Sequence, residues 1–311
     1  MLYPRDMVGY GQNPPQANWP GGARLALQIV LNYEEGAEMC VLHGDAASEV
    51  LNSDMAGVSP WPDQRNLVME SFYEYGSRVG VWRLLDVFAE RSIPTTIFAV
   101  GMALERNPDV ARAVAAAGHE VAAHGWRWVD YRNCPPETEA EHLRKAVAAI
   151  ERLTGAPPVG WYTGRISENT RRLVVEHGGF LYDSDAYNDD LPYWVEVGDR
   201  PHLVVPYTFD CNDMRFASAP GFNTGREFYE HLVDSFDVLY AESARRPRMM
   251  SVGLHCRLAG RPGRLAALQR FLDHVQRHNE VWICRRVDIA RHWATEHPFP
   301  KQPEATLVPT S

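Results

Sequence analysis

Leu25-Ala26-Leu27-Gln28-Ile29-Val30-Leu31-Asn32-Tyr33-Glu34-Glu35-Gly36 is the stretch from which the rest of the chain is read. Its first seven residues are an apolar run bounded by Gly21-Gly22 and Gly36, the pattern of a buried strand. The run leads directly into two adjacent carboxylates. In parallel α/β proteins ligands sit at the C-terminal ends of strands, so this pair belongs to a site more naturally than to idle surface.

Working outward, the same kind of run recurs at 94–100, 120–123, 159–163, 180–182, 203–209, 249–254 and 281–284. Helical spacing separates these runs over 78–88, 108–117, 137–153, 169–177, 224–244 and 263–277, and a last short helix runs through Trp293. The alternation shows no repeat and no break in composition. It predicts an α/β fold, a single distorted (β/α) barrel of seven or eight parallel strands, with a doubly wound open sheet as the alternative. One catalytic domain is expected over 1–298, with an irregular N-terminal arm, and a disordered tail over 299–311. The weakly periodic connection 37–77 is long for a compact domain and reads as a lid or a subunit contact.

Composition narrows the classes of function. With 45% hydrophobic and 23% charged residues in 311, the chain is of the ordinary globular type. A formal net charge of −9 argues against nucleic acid or an anionic membrane as the main partner. There is no apolar run of about 18 residues to span a bilayer, and the N-terminus lacks the form of a secretory signal. Five scattered cysteines, none in a C-x-x-C pair, suit a reducing cytoplasm.

If the strands lie in chain order, their polar C-terminal residues share one rim. Glu34-Glu35, His124-Gly125-Trp126-Arg127-Trp128, Gly164-Arg165, Asp183-Ser184-Asp185, Asp210-Cys211-Asn212-Asp213 and His255-Cys256-Arg257 all fall there. Each has a bland reading. Adjacent carboxylates on a loop are usually solvated, a lone histidine is usually a packed one, and Arg165 is as suited to a surface acid as to an oxyanion. Six strands delivering such groups to one face favour a site. Like charges this close split into one ionised and one protonated group, giving base and acid roles. Asp183 and Asp185 read as orienting residues, and Asn188 to Trp194 as an aromatic wall or oligomer contact.

The order of acid pair, His-centred turn, Arg-containing loop and late Leu-His resembles the polysaccharide deacetylases, which have a distorted (β/α) barrel. In that family the first motif is Thr-Phe-Asp-Asp-Gly and the second His-Ser/Thr-x-x-His, and together they hold a catalytic metal. Here the acids are Glu34-Glu35, and Trp128 stands where the second histidine would be, so the resemblance implies a dismantled metal site and no cofactor. Tyr3-Pro4-Arg5-Asp6, Asn32 to Gly36, His124 to Trp128, Trp161-Tyr162-Thr163-Gly164-Arg165, Tyr182 to Asp185, Asn212 to Phe216 and Leu254 to Arg264 are similar to one branch, the metal-independent bacterial allantoinases.

That branch implies hydrolysis of the hydantoin ring of allantoin to allantoate, by a cytoplasmic homo-oligomer, a tetramer, with a small ureide as its partner. In such a reaction Glu34 is expected as the base and Glu35 as its positioning neighbour, roles that can be exchanged. His255 is expected as proton donor to the leaving nitrogen, Arg165 as a carbonyl anchor and His124 as a hydrogen-bonding group. Trp126, Trp128, Tyr162, Asn212, Asp213 and Arg257 are the expected substrate contacts. A metal-dependent carbohydrate N-deacetylase and a non-catalytic ureide- or sugar-binding barrel remain the alternatives.

Overall fold

The computed structural model describes residues 5–300. The expected tail therefore lies outside the described residues except for its first two positions, as do the first four residues of the arm.

Leu25–Tyr33 (β1) is buried at all nine positions. Strand alternation gives it two inner faces. Leu25, Leu27, Ile29, Leu31 and Tyr33 enter the large core shared with the helices, whereas Ala26 and Val30 belong to the smaller clusters inside the sheet's curl. Removing a side chain such as Leu27 or Ile29 from water contributes roughly 1.5–3 kcal/mol each, which fixes the register. A one-residue slip would send Glu34 to the helix side.

Eight further strands follow among the described residues: Thr95–Ala99 (β2), Glu120–Ala123 (β3), Gly160–Trp161 (β4), Tyr182–Asp183 (β5), Tyr193–Val197 (β6), Arg200–Val204 (β7), Arg248–His255 (β8) and Val281–Ile283 (β9). The sheet order is β6-β7-β5-β4-β3-β2-β1-β8, with β9 beside the first half of β1. Every pairing is parallel except the β6–β7 hairpin, which falls where an aromatic wall was expected. Eight parallel strands in a curled sheet make the distorted barrel the sequence predicts.

The curl is drawn together after β7. Thr208 and Ser251 exchange hydrogen bonds through backbone N–H groups and hydroxyls at 2.8 and 3.0 Å, and Asn212 bridges Gly253. A side chain at 253 would collide with the Tyr207 hydroxyl and the Asn212 amide, so this approach needs glycine. Inside the curl the wholly buried Arg286 donates to Gln28, Ser184 and the carbonyls of Val205 and Pro206.

The helices are Leu67–Tyr75 (α1), Val81–Glu90 (α2), Gly101–Arg106 (α3), Pro108–Ala116 (α4), Pro136–Thr154 (α5), Thr170–His177 (α6), Gly225–Glu242 (α7), Pro262–Val275 (α8) and Arg286–Glu296 (α9). Their ends follow local chemistry. Thr224 and Glu227 form a capping box at the start of α7, and Gly155 in the left-handed region ends α5. The connection 37–77 is shorter than its sequence suggests. From Leu67 it is already helical, and a single π turn, Gly76–Gly80, carries α1 into α2.

Candidate active site

Strand ends bring Glu34, His124, His255 and Arg257, and the short turn Asp213–Ala217 brings Asp213, into one buried cluster, each less than a tenth exposed. Glu34 is its centre. His124 Nε2 lies 3.1 Å from Glu34 Oε1, and His255 Nε2 lies 3.5 Å from the same oxygen. Arg257 donates from Nη2 to Glu34 Oε2 at 2.6 Å and from Nη1 to Glu35 Oε1 at 3.1 Å.

The orientation of each partner is set elsewhere. His124 Nδ1 donates to the Tyr162 carbonyl at 2.8 Å, so Nε2 is the nitrogen presented to Glu34. The His124 ring stacks on Tyr162, which stacks in turn on Phe98. His255 Nδ1 lies 2.6 Å from Asp213 Oδ1, and Asp213 Oδ2 accepts from the backbone of His255 and Ala259. Asp213 thus holds both the imidazole and the turn that carries it. Glu35 accepts from the Glu34 backbone N–H at 3.0 Å and packs against Gly76. It also stands on the wall of a cavity of about 300 Å³ that reaches Glu38, Tyr73 and Arg106.

Charge divides the two glutamates. Burial pushes Glu34 upward, but Arg257, His255 and His124 outweigh it and hold the carboxyl well below the ordinary range. At Glu35 burial prevails, helped by the Glu34 charge and opposed by Arg257, and the carboxyl is raised. The pair splits as two neighbouring like charges should, with Glu34 the ionised member. Burial works against a charged His255, yet Glu34 and Asp213 overcome it and lift the imidazole to about 9. At neutral pH the site presents a carboxylate beside an imidazolium.

The other expected residues are placed less uniformly. Trp128 lies between two guanidinium groups, with Arg165 3.7 Å and Arg257 5.5 Å from its ring centroid. Arg165 pairs with neither Glu34 nor Glu35. It reaches the Trp128 carbonyl and lies 3.6 Å from Glu49, and its Nη2 is buried with no hydrogen-bond partner. Asn212 spends its amide on the Tyr207 hydroxyl and the Met214 backbone. Trp126 sets its ring against Gly101 of α3. Asp185 accepts from the backbones of Thr163 and Gly164 and so holds the loop before Arg165, the orienting role expected of it.

Sequence reasoning missed the contributions of the 37–77 connection. The Asn52 carbonyl accepts from Arg257 Nε at 2.7 Å, and its side-chain nitrogen lies 3.4 Å from His255 Nε2. Tyr73 lies under the Arg257 guanidinium at 4.0 Å and donates to the Leu51 carbonyl. Arg127, on the His124 turn, ties the connection down through Asp45 and the Glu38 carbonyl. An Asn among polar loop residues carries no signal of such a role. The one available hint was the density of aromatic residues in this segment.

Comparison with known proteins agrees with the fold. The polysaccharide deacetylase family profile matches residues 64–179. A Schizosaccharomyces pombe protein whose name assigns it to the polysaccharide deacetylases is 43% identical, over 96% of this chain and 99% of its own length. A Pseudomonas aeruginosa crystal structure named for the same family superposes with a TM-score of 0.94 at 58% identity, covering 96% of this chain and all of that one. The crystal structure of the PuuE allantoinase superposes with a TM-score of 0.95, also at 58% identity and with the same coverage.

The metal of that family does not fit the residues present. Its donors would be Glu35, His124 and a third group at position 128, where Trp128 offers no lone pair. The Arg257 guanidinium already bridges Glu34 and Glu35. A buried cation there repels a divalent ion and occupies the oxygens such an ion would need.

Proposed function

The chain belongs to the polysaccharide deacetylase family, and within it we propose that this member opens the hydantoin ring of allantoin to give allantoate, without a metal ion. The observation that carries the reading is Glu34, one ionised carboxylate facing two imidazoles, with a guanidinium set where a metal would have to bind. The chain-long likeness to the PuuE allantoinase supports the choice of substrate.

Glu34 takes a proton from a water molecule, whose oxygen forms a bond to the ring carbonyl carbon. The carbonyl oxygen gains negative charge and needs a donor. The unpartnered Nη2 of Arg165 is one on offer. The ring C–N bond then breaks, and the departing nitrogen takes the proton of His255 Nε2. The single ring-opened product equals substrate plus water, and the proton on Glu34 passes to His255 Nε2, 3.5 Å away, to restore the starting state. Glu35 acts through Arg257 and through the Glu34 backbone, as a positioning residue. Trp128, Tyr162 and Tyr73 keep the surroundings apolar, which strengthens each of these charges.

The reading extends to a cytoplasmic homotetramer. Exposed Leu42, Trp61, Leu67 and Val68, all in or beside the 37–77 connection, support a subunit contact. Five free cysteines suit the compartment. Among the described residues no helix is long and apolar enough to cross a membrane.

A two-substrate assay tests the function. Purified protein is expected to convert allantoin to allantoate and to leave N-acetylglucosamine oligomers acetylated. Sugar deacetylation without allantoin turnover would overturn the proposal.

A further inference from the structure

Beyond the Glu34 cluster, the segment that positions Asp213 carries a second group of metal-ligand side chains. Asp210 and Cys211 form the short turn Phe209–Cys211 after β7, and His231 faces them from α7. One ligand atom from each lies within 4.8 Å of the other two. The three are a carboxylate, a thiol and an imidazole, the donor types that zinc accepts together.

The imidazole gives an independent indication. His231 Nε2 is shielded from solvent and makes no hydrogen bond, although Asp210 Oδ2 is only 3.3 Å away. The nitrogen thus faces the Asp210 carboxylate without the alignment of a hydrogen bond, an arrangement that a shared cation would satisfy. A tetrahedral ion with bonds of about 2.0–2.3 Å needs ligand atoms about 3.3–3.8 Å apart, within reach of small side-chain rotations here. Asp210 also stands on the wall of a cavity of about 710 Å³, which leaves solvent or a small ligand for a fourth position.

We propose that Asp210, Cys211 and His231 form a binding site for a zinc-class divalent cation, separate from the Glu34 cluster and taking no part in its chemistry. Among the described residues, the other group of this kind, Asp237, His274 and His278, is satisfied without an ion. There His274 Nε2 lies 2.8 Å from Asp237, and His278 Nδ1 lies 3.0 Å from the His274 carbonyl. An ion at Asp210, Cys211 and His231 pins α7 to the chain just before Asn212 and Asp213, and so stiffens the support of His255.

Cobalt(II) is the probe, because thiolate ligation gives it a near-ultraviolet charge-transfer band. Metal-stripped full-length protein titrated with Co²⁺ is expected to develop that band with one equivalent. Glu34→Gln, which alters the rim, should leave the band unchanged, whereas Cys211→Ser and His231→Gln should each abolish it. Zn²⁺ at a hundredfold excess over its dissociation constant is expected to raise thermal stability by binding linkage, and to do so only where both residues are intact. His231→Gln changes a partly exposed position and keeps the test sound if Cys211→Ser folds poorly. No band, a band that survives His231→Gln, or a band lost in Glu34→Gln would each overturn the proposal. Allantoin turnover is not a readout here, so this failure is distinct from failure of the proposed function.

Discussion

Glu34 serves three cationic or proton-bearing groups at once, and most single-residue consequences follow from that. Glu34→Gln keeps the shape of the side chain but removes the carboxylate proposed as the base. Turnover is expected to fall by about a thousandfold, within the usual range for loss of a general base, with an unchanged circular dichroism spectrum. His255 must carry its proton to act as the acid. Because its pKa is raised to about 9, kcat/KM should hold through the neutral range and fall as pH rises past that value. The same shift affects stability: the contribution is complete below the ordinary histidine value near 6.5 and is lost as pH climbs through about 9. Asp213→Asn takes away one of the two charges that lift this imidazole, so the alkaline limb should move to lower pH. An unmoved limb would remove His255 from the acid role. Arg257→Met removes the guanidinium that Glu34 and Glu35 share and leaves the buried Glu34 carboxylate with His255 as its remaining counter-charge, and urea denaturation is expected to show a loss of about 3–5 kcal/mol.

The elements explain why these groups meet. Alternation along β1 turns Asn32 and Glu34 into the curl, while Tyr33 meets Ser77 of the π turn and Glu35 packs against Gly76. A methyl group at 76 would overlap Glu35 Oε1. Gly76→Ala should therefore cost about 1–3 kcal/mol by overpacking and lower kcat through displaced Glu35 and Arg257, measured by denaturation and steady-state kinetics together. Much of this was legible in the sequence. An apolar run into Glu34-Glu35 favours a site over solvated charge once parallel strands in order carry His124, His255 and Arg257 to the same end. What was not legible depends on contacts between distant segments. Helix α1 leaves Leu67 and Val68 exposed and buries Met69 and Tyr73, which blurs its apolar stripe. The carbonyl of Asn52 acts on Arg257 through backbone, which side-chain patterns do not encode. Trp126 follows His124 by two residues, yet the turn sends its ring to α3, and motif spacing cannot show that.

On the scale of the whole molecule, a deacetylase barrel retains its strand-end architecture while the guanidinium of Arg257 stands against its acid pair. Arg257 is fixed by Glu34, Glu35 and the Asn52 carbonyl and bordered by Tyr73 and Trp128, so its charge is a permanent part of the fold. The exposed apolar residues from Leu42 to Val68 lie on the segment that closes over this centre. Light scattering is expected to find an oligomer, and Leu67→Glu, at a 63% exposed position, to shift it toward smaller species. A monomeric wild type would contradict the proposed assembly. The most direct test of the central claim is allantoin hydrolysis by protein that has been dialysed against chelator and shown by elemental analysis to be metal-free. Full activity, unchanged by added zinc, is the predicted result. Loss of activity that zinc restores would contradict the account.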